Sequence, residues 1–95
     1  MDIKLQALIE PMLCLSTSHI TRETSDLLVG NTSQLPVHYP NEYGAFMECN
    51  KERIKGPADL TIVLEFAVKN GIAWIKFDRD GFIIEDLPTY DETWS

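Results

Sequence analysis

Positive charge is scarce in this chain. Eight Lys and Arg stand against fifteen Asp and Glu in 95 residues, for a formal charge of −7. A surface of that sign repels phosphates, and the counterion release that drives nucleic-acid binding needs clustered bases. Direct binding to DNA or RNA is therefore not expected. Long apolar runs are missing too. The first is broken by Glu10 and Pro11, and none approaches the roughly 20 residues of a spanning helix, so no membrane partner is expected. Only Cys14 and Cys49 represent cysteine, and Met1-Asp2-Ile3-Lys4 does not read as a secretory leader. Free thiols in a reducing cytoplasm are the expectation, with a disulfide between the two as the lesser alternative.

Motifs that carry chemistry are equally sparse. Asp78-Arg79-Asp80-Gly81 has its glycine at the fourth place of a would-be calcium loop, and Thr89 stands where the bidentate Glu belongs. Cys14, His19, His38 and Cys49 match no compact zinc spacing. No phosphate loop or dinucleotide glycine pattern occurs. No metal, cofactor or catalytic residue is expected.

What remains is a 44% hydrophobic, 24% charged composition typical of a globular domain. Residues 1–95 read as one small α+β domain, with two helices on a mostly antiparallel sheet of three to five strands. Pro11–Ser16 reads as the first strand, while Ile3–Ile9 fits either a strand or a helical turn. Thr21 offers an N-cap for a helix over 22–29 that stops at Gly30. Val37–Tyr39 and Tyr43–Cys49 read as extended segments around a Pro40-Asn41-Glu42 turn. Pro57 opens a second helix at its first position, and Leu60, Val63, Leu64, Ala67 and Val68 recur at helical spacing before Gly71. Ile72–Asp78 is a strand. Asp80-Gly81 signals a C-terminal hairpin that pairs Arg79 with Phe82, Phe77 with Ile84 and Lys76 with Glu85. After Pro88 the chain is expected to leave the sheet as an acidic tail of about residues 88–95.

Two candidate sites follow. Residues 78–95 hold six acids and one base, a net −5. Asp78, Asp80, Glu85, Asp86, Asp91 and Glu92, with Tyr90 and Trp94, form a candidate partner-binding surface, because Tyr and Trp bury much area at low entropic cost. Trp94 either folds back on the sheet or offers a partner an apolar plug in an acidic collar. The second candidate is the strand-to-helix corner Ser16–Thr21, where Ser16, Ser18 and His19, with Tyr43, could receive a small ligand.

Five segments carry a resemblance to a known family: Leu15–Thr21, Glu42–Phe46, Pro57–Leu60, Trp74–Gly81 and Leu87–Tyr90. In that order they resemble domain of unknown function 5983, found in small uncharacterised bacterial proteins that often lie on phages and other mobile elements. The resemblance implies no catalytic residues. It implies a genomic habitat, and small acidic proteins of phages are commonly accessory factors; the expectation is therefore a protein that binds and inhibits a host complex, such as a nucleic-acid-binding defence system of the CRISPR or restriction type. In that reading the acids meet Arg and Lys of the partner, and the protein is a non-enzymatic monomer or homodimer. The alternative is a ligand-binding or catalytic domain using the Ser16–Thr21 corner; a third possibility is self-association through a free sheet edge.

Overall fold

The computed structural model describes residues 9–30 and 32–94; the ambiguous Ile3–Ile9 segment lies almost wholly outside them. The apolar run after Pro11 forms β1 (Met12–Ser16) and leads into a 3-10 turn, Thr17–His19. Thr21 caps helix α1 (Arg22–Leu28) by accepting the Thr24 N–H at 3.2 Å. Strands β2 (His38–Asn41) and β3 (Gly44–Glu48) follow, then α2 (Ala58–Lys69) and β4 (Trp74–Asp78). A second 3-10 turn, Asp91–Thr93, ends the described chain.

The turn expected around Pro40–Glu42 falls later, at Glu42-Tyr43, with Asn41 opposite Gly44. Pro40 sits within β2, which is tolerated because β2 is an edge strand. Pro57 precedes α2 as its N-cap residue, one place earlier than expected. The stop at Gly71 forms a Schellman closure, with the Ile72 N–H donating to Ala67 O at 2.9 Å and the Gly71 N–H to Val68 O at 3.1 Å.

The sheet order is β1-β4-β3-β2. β3 runs antiparallel to both neighbours and β1 parallel to β4, so the sheet is mixed. Leu15, Ala45, Met47, Ile75 and Phe77 share one face. They form a single core with Ile20, Leu28 of α1, Leu35, Leu87, and Leu60, Val63, Leu64 and Ala67 of α2. The opposite face carries half-buried Cys14, Phe46, Trp74 and Lys76 and exposed Tyr39. There the Tyr39 and Trp74 rings lie 6.3 Å apart.

The expected C-terminal hairpin does not form. Both neighbours of β4 are already taken, by β1 and β3, so Phe77, Lys76 and Arg79 have no room for Ile84, Glu85 and Phe82. The turn is also of the wrong kind. Gly81 N–H donates to Asp78 O at 2.8 Å, which makes Arg79-Asp80 the central pair. Neither has positive φ, whereas a two-residue hairpin loop favours it.

Candidate partner-binding surface

The Asp78–Gly81 turn throws the chain across the end of β1. Asp78 Oδ1 accepts the Asp80 N–H at 2.8 Å and fixes the bend. Gly81 then passes so close to β1 that a Cβ there would lie 2.5 Å from Leu15 C. No larger residue fits without displacing backbone. Beyond it, Phe82 O accepts the Ser16 N–H at 2.8 Å, a single parallel bridge on the outer edge of β1.

His19 fastens the next stretch. Its ring is fully buried, and each nitrogen has a partner from the C-terminal run. Nε2 accepts the Ile84 N–H at 2.9 Å, so Nδ1 carries the proton and donates to Pro88 O at 2.8 Å. Tyr90 N–H donates to Ser18 O at 2.8 Å. Thr93 Oγ1 accepts the Arg22 N–H at 3.1 Å and donates to Tyr90 O at 2.9 Å. Trp94 folds back, its indole N–H donating to Ile20 O at 3.1 Å. The expected departing tail is thus laid along the Ser16–Thr21 corner and tied to it.

Those contacts engage both nitrogens of His19 and the backbone of Ser18, two of the residues proposed for a ligand. Ser16 Oγ accepts the Ser18 N–H, and Asp59 reaches from the first turn of α2 to accept the Thr21 N–H at 2.8 Å and the Thr24 hydroxyl at 2.9 Å. Tyr43 is not part of the corner group. It lies on the β2–β3 turn, where its ring centroid is 5.6 Å from the Arg79 guanidinium. Among the described residues, no three His, Cys, Asp or Glu come together as a metal site, and no helix is long and apolar enough to cross a membrane.

The acidic residues divide. Asp78 is half-buried, caps its turn and lies 3.6 Å from Lys76 Nζ. Asp80, Glu85, Asp86, Asp91 and Glu92 are exposed, Tyr90 is half-buried, and Trp94 retains 36% exposure. Sequence reasoning missed the centre of this surface. Phe82 is 73% and Ile83 65% exposed, and Asp80, Glu85 and Asp86 lie within three residues of them in the chain. The hairpin reading hid them by assigning them to a strand. Three apolar residues, Phe82-Ile83-Ile84, between a turn glycine and an acidic pair were the available signal.

Elsewhere, burial, reinforced by the nearby Glu48 carboxylate, pushes the Cys49 thiol up to about 11. Its sulfur is a packing group, and both cysteines are free.

The architecture is that of a two-layer α+β domain bearing an apolar edge with carboxylates close by in the chain. The chain belongs to the family of unknown function DUF5983, matching its C-terminal domain over residues 12–92. That span runs from the first residue of β1 into the final 3-10 turn. The five segments that carry the resemblance largely converge in space: Leu15–Thr21 is tied to Leu87–Tyr90 through His19 and Ser18, and to Pro57–Leu60 through Asp59, while Trp74–Gly81 meets Glu42–Phe46 in the sheet and at Arg79. No curated protein and no solved structure matches the chain.

Proposed function

We propose that this is a non-enzymatic binding protein that grips a basic surface of a host protein through the edge centred on Phe82 and Ile83. The observation that carries the reading is the exposure of those two side chains on a segment held by the β1 bridge and His19. Burying two such groups supplies an anchor, and a rigid edge loses little conformational freedom on binding. Asp80, Glu85 and Asp86 lie within three residues of them in the chain, and with exposed Asp91 and Glu92 they supply negative charge that steers and selects a partner rich in Arg and Lys. Tyr90 and Trp94 extend the apolar area. Such a partner is a protein that normally holds nucleic acid, for which the carboxylates would compete with phosphates. An accessory protein of a phage or mobile element, inhibiting a defence complex of the CRISPR or restriction type in the host cytoplasm, fits this chemistry.

The test is a pull-down from nuclease-treated host lysate at low and moderate salt, run beside a Glu85→Lys/Asp86→Lys variant. A stoichiometric partner retained by the wild type and lost with the variant supports the proposal. A partner retained equally by both, regardless of salt, contradicts it. The alternative, a ligand at Ser16–Thr21, would first require release of the segment that His19 and Ser18 hold.

A further inference from the structure

At the opposite edge of the sheet, beside β2, the surface changes character. A groove of about 770 Å³ lies there, floored by Leu35, Pro36, Val37 and Ile54 and edged by Arg53 and Lys55. Its volume falls in the range of small-molecule sites, a few hundred to about 1,000 Å³. Its charge leans against that of the molecule: the charged residues of its lining are the bases Arg53 and Lys55 and one acid, Glu52, on a chain of net −7.

The walls are fixed. The His38 ring sits between the end of α1 and the approach to β2, with Nδ1 2.9 Å from Pro36 O and Nε2 2.9 Å from Gly30 O, and a neutral ring donates to one of these two carbonyls. On the other wall, Asn50 Oδ1 accepts the Glu52 N–H at 2.9 Å and Asn50 O the Arg53 N–H at 2.9 Å, which holds the loop that presents the bases. Arg53 rests 3.6 Å from Glu48 with its side chain 62% exposed, a contact that an anion could replace at little cost. Lys55 has no ion pair among the described residues. Peptide addition along the β2 edge is disfavoured. Val37 O accepts from Glu48 N–H, so His38 and Pro40 are the residues whose backbone faces outward, and Pro40 has no N–H to offer.

We infer that this groove binds a small organic anion, its apolar body on the Leu35–Val37 and Ile54 floor and its carboxylate or phosphate between Arg53 and Lys55. The occupant combines both features because the groove does. A bare anion leaves the floor unused, and an uncharged apolar molecule leaves Lys55 without a counter-charge.

Phenyl phosphate is a suitable probe, titrated against the ¹⁵N-labelled full chain, with inorganic phosphate and benzyl alcohol in parallel. Saturable shifts are expected at Leu35, Val37, His38, Arg53, Ile54 and Lys55, with phenyl phosphate binding about tenfold more tightly than either comparison compound. An Arg53→Ala/Lys55→Ala variant, whose unperturbed spectrum elsewhere reports an intact fold, is expected to lose about tenfold in affinity. Equal affinity for inorganic phosphate, equal affinity for benzyl alcohol, unchanged binding by the variant, or shifts confined to other residues would each overturn the inference. So would shifts at the groove that arise from concentration alone, which would assign it to contact between copies.

Discussion

His19 shows how a single side chain can join distant parts of a small chain. It is completely buried, yet both ring nitrogens are satisfied, by Ile84 and by Pro88. His19→Ala removes both bonds and leaves a cavity, at a cost of about 2–4 kcal/mol. Urea denaturation should register that loss, with faster proteolysis beyond Ile84; a variant as stable and as protected as the wild type would mean that the ring does not hold the segment. Cys49 gives a prediction with a definite sign. Its folded thiol is raised from 9.0 to about 11, so folding favours the neutral form. The stability this contributes is complete below pH 9 and is lost as pH climbs from 9 through about 11. At pH 8, in a Cys14→Ser background, Cys49 should react with iodoacetamide about ten- to a hundredfold more slowly in the folded chain than in denaturant. Equal rates would contradict its buried environment.

Among the elements, those with local signals were legible in the sequence. The Thr21 cap, the Pro57 and Gly71 boundaries of α2 and its apolar stripe each depend on residues within a turn or two, and each appears within one residue of where the pattern put it. The hairpin failed because its existence depended on a free side of β4. That side is filled by β1, more than 60 residues distant in sequence, through a parallel pairing that no local pattern encodes. Asp80-Gly81 is a turn signal serving a different turn, in which Gly81 is needed for its close passage over Leu15. Gly81→Ala should cost about 1–3 kcal/mol by overpacking and expose the Ser16 amide to faster hydrogen exchange. Gly30→Ala, where a Cβ meets only Leu27 O at 3.7 Å, is the control and should leave that amide protected. Equal effects from both would remove the case for the close approach. The acids of the candidate surface were legible as charge, but Phe82 and Ile83 at its centre were not, because their exposure follows from the same non-local pairing.

At the scale of the whole molecule, the two edges of one sheet carry opposite character. Beyond β1 lies an apolar edge with carboxylates close by in the chain, and beside β2 an apolar groove whose charged lining is two bases and one acid. The most direct measurement compares capture of a partner by the wild type and by a Phe82→Ser/Ile83→Ser variant of equal thermal stability, across a salt series. Loss of capture with the variant, and weakening of wild-type capture as salt rises, is the expected result. Undiminished capture by the variant, or capture insensitive to salt, would contradict a basic partner held at this edge.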